Sequence, residues 1–268
     1  MIYLGYTAAI LIGISLGLIG AGGSILTIPV LVYLIGIPVV NATSYSLFIV
    51  GLSAFIGTLT YFKNNLISMR TVLVFGLPSV ISIFITRKYL LHAIPDHLFN
   101  IGPTEITKNA ILMLLLAVLM ILASLSMIRK PSLIKIDTHQ NNEQFRYFLI
   151  FQQGIIVGVL VGLVGAGGGF IIIPALIMLE KLSMKKAIGT SLAIIAINSS
   201  VGFFSDFGMH QFDWGFLFLF SSFAIIGIII GTHLSKFISS VKLKPAFGWF
   251  ILLMGIYIIS KEITLGIL

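Results

Sequence analysis

Gly17-Leu18-Ile19-Gly20-Ala21-Gly22-Gly23-Ser24-Ile25-Leu26-Thr27-Ile28-Pro29 and Gly162-Leu163-Val164-Gly165-Ala166-Gly167-Gly168-Gly169-Phe170-Ile171-Ile172-Ile173-Pro174 are two copies of one pattern, 145 residues apart. The same offset carries Leu31 onto Leu176, Ala42 onto Ala187, Ser46-Leu47 onto Ser191-Leu192 and Gly57 onto Gly202 without a gap. A glycine pattern and a proline repeated in one register identify an internal duplication. Each copy interrupts an apolar run with a cluster of small residues. A glycine inside a helix costs about 1 kcal/mol relative to alanine. Non-helical backbone at membrane depth survives only where it is buried in protein or lines a water-filled cavity. The two breaks therefore belong inside the molecule.

The chain around them is built for lipid. Of its 268 residues 58% are hydrophobic and only 9% charged, against roughly 25% charged in soluble domains. That excludes a soluble enzyme, a disordered regulator and a coiled coil. The net charge of +8 fits the basic cytoplasmic loops of membrane proteins, so nucleic acid is not an expected partner. With no cysteine, thiolate chemistry, disulfides and Cys-ligated metals are excluded. Met1-Ile2-Tyr3-Leu4-Gly5 lacks the basic start of a cleaved signal peptide, and the first apolar stretch is expected to remain as a span.

The first charged residue is Lys63. The uncharged run before it, about 93 Å as helix, holds three segments at about 30 Å per crossing: 4–20, 24–40 and 42–62. Segments at 71–86 and 106–128 complete a first half, residues 1–128. A polar stretch, 129–146, links it to a second half, 147–268, with segments at 147–165, 169–180, 187–205, 214–235 and 245–260. The expected fold is an all-α polytopic membrane protein of two inverted repeats, about five helical segments each and eight to ten spans in all. With the linker in the cytoplasm, Lys63, Arg70, Arg129, Lys130, Lys135, Arg146, Lys181, Lys185, Lys186, Lys236, Lys242 and Lys244 lie inside. Arg87, Lys88, Lys108 and Lys261 then lie outside, a 12-to-4 split that follows the positive-inside rule.

The breaks carry the chemistry. Gly20, Ala21, Gly22 and Gly23 with Ser24, and Gly165, Ala166, Gly167, Gly168 and Gly169, expose backbone N–H groups ahead of a new helix. That is a seat for an anion. Hydroxyl and amide side chains nearby, Thr43, Ser46, Thr190, Ser191 and Asn198, donate hydrogen bonds without adding charge. The competing reading is packing: small residues let helices approach closely, which suffices for Gly13-xxx-Gly17 and Gly158-xxx-Gly162. Every carboxylate, Asp206 and Asp213 included, falls at or beyond a segment end. Lys63, Arg70 and Arg87 read first as orientation anchors. Asp206, His210 and Asp213 have metal-compatible spacing, but read first as a cap at the outer surface; no metal and no cofactor is expected. Phosphate-loop, nucleophile-elbow and zinc-protease motifs are absent from the sequence.

The doubled glycine motif, with Ala187-Ile188-Gly189-Thr190-Ser191-Leu192 and Asn198-Ser199-Ser200-Val201-Gly202, resembles the sulfite exporter TauE/SafE family over nearly the whole chain. The resemblance implies a bacterial inner-membrane permease for small anions such as sulfite and organosulfonates. The first half departs from the pattern at Ala42-Thr43-Ser44-Tyr45-Ser46-Leu47, where Tyr45 stands opposite Thr190 and is expected to narrow or reshape the site. The expected function is secondary transport by alternating access, with the lipid bilayer and a small anion as partners; a homodimer is compatible with it. A potential negative inside, worth about 2.3 kcal/mol per charge per 100 mV, drives anion export without a coupling ion. An anion channel, a non-transporting membrane scaffold and a membrane enzyme are the alternatives, the last without a catalytic constellation.

Overall fold

The first helix, α1 (Ile2–Ile19), stops at Gly20, whose φ of 75° is a left-handed conformation open to glycine. A new helix, α2 (Gly22–Pro29), follows at once. Pro29 has no amide hydrogen to continue the ladder. After it the backbone widens into a π turn over Val30–Ile35, which Gly36 ends at φ 84°. The long α3 (Val39–Lys63) starts behind Pro38. Next comes α4 (Met69–Ile85), which passes through a second π turn, Thr86–Leu90, into the single turn α5 (Leu91–Ala93). A small antiparallel hairpin, β1 (His97–Ile101) with β2 (Thr104–Thr107), leads to α6 (Lys108–Ile128).

The second half repeats this with α7 (Glu143–Val164), α8 (Gly169–Leu179), α9 (Met184–Ser205), α10 (Trp214–Leu234) and α11 (Ser240–Thr264). The structure is a computed structural model and describes residues 2–20, 22–101, 104–128, 143–179, 182–208, 211–235, 237 and 240–264. Most of the 129–146 linker, together with Ala21 and His210, lies outside the described residues.

Among the described helices five are long and apolar enough to cross a bilayer. By contrast α8, with 11 residues, is about 16 Å long, half of a crossing. That is why the 33 residues between Arg146 and Glu180 fit: the segment after each glycine break penetrates without spanning. The fourth segment, expected to end at 86, instead continues as helix to Ala93. Arg87, read from the sequence as an anchor beyond the span, therefore lies within it. Likewise α11 runs past 260, so Glu262 sits in its last turn, buried, accepting a hydrogen bond from the Tyr33 hydroxyl at 2.9 Å.

Packing makes the duplication visible. α1 lies against α10 and α7 against α4; α3 packs on α9 and α6 on α11. A shift of 145 residues exchanges the first two pairs and maps α3 onto α9, while α6 and α11 correspond by their order in the two halves. Equivalent helices run in opposite directions. Ser44, near the start of α3, meets Asp206 just past the end of α9, while Thr190 near the start of α9 meets Ser68 just beyond α3. Gly248 of α11 touches Met127 of α6 and Gly255 touches Ala117, again antiparallel. Two inverted repeats interleave rather than sit side by side.

Absent side chains set the cross-repeat spacing. A Cβ on Gly13 would lie 2.0 Å from the Ala224 carbonyl oxygen, and one on Gly158 would lie 2.5 Å from that of Ser79. Gly17 rests on Ile228 and Gly231, and Gly162 on Ile83 and Thr86, the same contacts one repeat apart. These are small-xxx-small interfaces. The outer faces stay apolar: Leu73, Leu77 and Ile81 form an exposed stripe along α4 suited to lipid.

Gly13→Ala and Gly158→Ala should therefore each destabilise the protein by about 1–3 kcal/mol through overpacking. Gly76, buried in α4 with nothing within 4 Å of an added Cβ, should accept alanine with an unchanged or higher Tm. Thermal melts in detergent compare the three.

Candidate functional site

Both breaks are buried and meet at the molecular centre. In the second, Gly165, Gly167 and Gly168 take φ values of 75°, 64° and 75°, so alanine is strained at all three. An added Cβ on Gly167 would come within 3.0 Å of Val50, 3.1 Å of Ser24 Cβ and 3.3 Å of Ile195. Val50 and Ile195 are repeat equivalents, so Gly167 lies beside the pseudo-two-fold axis, against the first turn of α2. That turn holds Gly22, Gly23 and Ser24; Gly169 opens α8. Two helix N-termini are thus brought together.

Each break leans on the opposite repeat. Gly20 abuts Ile188 and Ser191, and Gly165 abuts Thr43, the equivalent of Ile188. Ser191 donates to the Ile188 carbonyl at 2.8 Å and approaches the Gly20 carbonyl at 3.3 Å. Its equivalent, Ser46, is buried with no partner for its hydroxyl among the described residues. Asn198 donates from Nδ2 to Ser79 at 2.7 Å, while its Oδ1 is buried without a partner among the described residues. Ser53 and Ser199, on the same two helices, have equally unused hydroxyls.

Thr190 does different work. Its hydroxyl donates to the Lys186 carbonyl at 2.7 Å and accepts the backbone N–H of Ser68 at 3.0 Å. Tyr45, its equivalent, accepts the backbone N–H of Asp213 at 2.8 Å, and Asp213 is the equivalent of Ser68. Both residues clamp the residue that begins the next helix. The tyrosine reaches its clamp with a ring packed on Phe212 and Phe216.

The largest departure from the sequence reading is Arg87. It is 0% exposed and forms an ion pair with Asp206, 1% exposed, at 2.9 Å from Nη2 to Oδ2. Its Nη1 donates to Thr43 Oγ1 at 2.9 Å, and its Nη2 reaches Ser44 Oγ at 3.4 Å. Ser44 in turn donates to Asp206 Oδ2 at 2.5 Å. So Arg87 is no orientation anchor and Asp206 no surface cap. Asp213 alone caps as expected, accepting from the Phe216 N–H at the start of α10. Among the described residues no three His, Cys, Asp or Glu side chains gather to hold a metal ion.

The 145-residue offset gives this cluster a counterpart. Arg87 maps onto Thr232, Asp206 onto Tyr61, Ser44 onto Gly189 and Thr43 onto Ile188. There, instead of an ion pair, lies a cavity of about 250 Å³ walled by Thr60, Tyr61, Asn64, Leu66, Lys185, Ile188, Thr232 and Ser235. Tyr61 OH sits 3.3 Å from both the Gly17 carbonyl oxygen and Ser235 Oγ. One end of the molecule holds a buried ion pair; the equivalent place at the other end holds a cavity lined by hydroxyls and bordered by a lysine. Another cavity, of about 300 Å³, runs between Leu47, Phe48, Phe203 and Trp214 and is almost wholly apolar.

A family model described as sulfite exporter TauE/SafE matches residues 6–258. The chain belongs to that family. Relatives include a probable membrane transporter protein of Xylella fastidiosa, 28% identical over 94% of this chain and 92% of its own. The probable membrane transporter proteins YunE and YdhB of Bacillus subtilis are 25% and 27% identical, over 92% and 88% of this chain and 93% and 91% of their own. No solved structure matches the chain. The protein is a multi-pass membrane transporter, not an enzyme.

If the paired clamps carry structure alone, Tyr45→Phe and Thr190→Val should each lower stability by about 1 kcal/mol, with Thr190→Val leaving Ser68 N–H unpaired. Denaturation with and without each substitution measures this, and neither should alter ligand-induced stabilisation.

Proposed function

We propose that the protein is an inner-membrane secondary transporter that carries a small anion, sulfite or an organosulfonate, by alternating access. The observation that carries the reading is the unequal pair of mouths around symmetric central breaks. Inverted repeats generate two access states by exchanging the conformations of their halves. A molecule with one mouth closed by Arg87–Asp206 and the equivalent mouth open at Tyr61–Thr232 has the asymmetry such an exchange requires.

The chemistry favours a small negative solute. The adjoining N-termini of α2 and α8, the unused hydroxyls at Ser46 and Ser199 and the lysine at the hydroxyl-lined cavity all suit oxyanion oxygens. A cavity of about 250 Å³ falls below the roughly 300–1,000 Å³ of drug-sized ligand pockets. Lys185 borders this cavity, and Lys63, Arg70 and Lys186 lie at the same helix ends; by the positive-inside rule this favours a cytoplasmic side for it. Taking Arg87 out of the outer count, since its charge is paired, strengthens that orientation.

Purified protein in proteoliposomes should show saturable counterflow of labelled sulfite or methanesulfonate, abolished by Gly167→Ala in a protein that still folds. Flux without counterflow would assign a channel. Unchanged counterflow in the variant would return the breaks to a packing role.

A further inference from the structure

The Arg87–Asp206 pair is underfilled. A guanidinium grips a carboxylate best as a fork, with two parallel hydrogen bonds. Here one nitrogen meets one oxygen, while Arg87 Nε and Asp206 Oδ1 are buried with no partner among the described residues. A pair kept for stability alone leaves few such groups, because each unused buried donor or acceptor is costly. The unused Nε lies on the guanidinium edge it shares with Nη2, ready for a ligand presenting two oxygens. Around it stand the Thr43 and Ser44 hydroxyls, and Thr43 touches the Gly165 break. The arginine is carried on a π turn, a distortion frequent at functional sites.

We propose that Arg87 is the seat for the oxyanion head of the transported solute, that the Asp206 carboxylate holds this seat in its absence, and that Asp206 yields it by taking up a proton. The proposal rests on the anion-carrier reading and deepens it. The exchange of repeat conformations that closes the Tyr61–Thr232 cavity opens its equivalent around Arg87, exposing the pair to the other side.

Charge balance supplies the proton. Arg87 and Asp206 together are neutral. A monoanion, carboxylate or sulfonate, that replaces Asp206 at the guanidinium leaves the aspartate as a buried charge without its partner, which is strongly unfavourable. One proton from water on Asp206 restores neutrality, so anion and proton enter together and leave together, and Asp206 then returns to Arg87. Transport of a monoanion becomes electroneutral, in place of the potential-driven export expected from the sequence.

Other ionisable groups near the pair are Tyr45, tied to the Asp213 N–H, and His92, whose Nδ1 lies 2.9 Å from the Arg87 carbonyl oxygen. Lys88 is exposed beside the Phe84 ring. Asp213 caps α10. The charges of α3, α7 and α9, namely Lys63, Glu143, Arg146, Lys185 and Lys186, fall at the opposite ends of their helices. His210 lies outside the described residues.

The test is thermal stabilisation of the purified full chain by methanesulfonate, an anion that stays ionised throughout, titrated between pH 6 and 9. Wild type should bind about tenfold more weakly for each pH unit of rise once Asp206 is ionised. His92→Gln and His210→Gln should keep that slope. Asp206→Asn should bind with no pH dependence, and Arg87→Gln and the double variant should not bind. Should Asp206→Asn fail to fold, the wild-type slope and Arg87→Gln still decide. Binding that survives in Arg87→Gln, a flat wild-type slope, a slope lost with either histidine, or no methanesulfonate binding by wild type would overturn the proposal. Binding as described with no counterflow would instead sink the carrier reading and leave the seat in place.

Discussion

Backbone that leaves its helix inside a bilayer must find its hydrogen-bond partners within the protein, and this requirement governs the architecture. One helix breaks at glycine in each half of the chain, at Gly20 and at Gly165–Gly168, and both breaks are buried. Burying them needs a second layer of helices pressed unusually close, which the glycines of α1, α7 and α10 permit by removing the side chains that would intervene. The short helices behind the breaks need not span; they need only aim their N-termini at one another.

Exchange between repeats is the next consequence. α1 finds its closest neighbour in α10 and α7 finds its own in α4, so neither half encloses its break alone. Every wall of the central region is contributed twice, once from each repeat and in opposite directions. Symmetry of that kind makes departures informative. Even where the sequence keeps the same residue at equivalent places, as at Ser46 and Ser191, the bonding differs: Ser191 donates to Ile188 while the Ser46 hydroxyl has no partner among the described residues. Where it does not, as at Arg87 and Thr232 or Asp206 and Tyr61, the two ends have diverged: one holds a buried ion pair and the other a hydroxyl-lined cavity.

Much of this was legible in the residues. The 145-residue offset, the breaks and the inversion of the halves all followed from glycine, proline and lysine positions, because those residues act locally on backbone and orientation. The clamp role of Thr190 was not legible, since its partner, Ser68, lies 122 positions away. The pairing of Arg87 was hidden for a related reason. A charge at the end of an apolar run normally marks the membrane surface, and only the helical continuation to Ala93 and an aspartate on another helix turn it inward. A comparison of the two repeats at that offset gives the one available hint: Arg87 and Asp206 fall on Thr232 and Tyr61, two polar residues that also sit side by side around a cavity.

The central claim is that equivalent positions of the two repeats are in opposite states of access. The chain has no cysteine, which allows a direct measurement. Thr60 lines the open cavity, whereas its equivalent, Ser205, is 8% exposed at the sealed end. Single cysteines at these two positions, challenged with a membrane-impermeant thiol reagent in vesicles of known orientation, should differ sharply. Thr60→Cys should react from the side bearing Lys63 and Lys185, and Ser205→Cys should be protected from both. Equal reactivity of the pair, or protection of Thr60→Cys from the lysine-bearing side, would contradict the account.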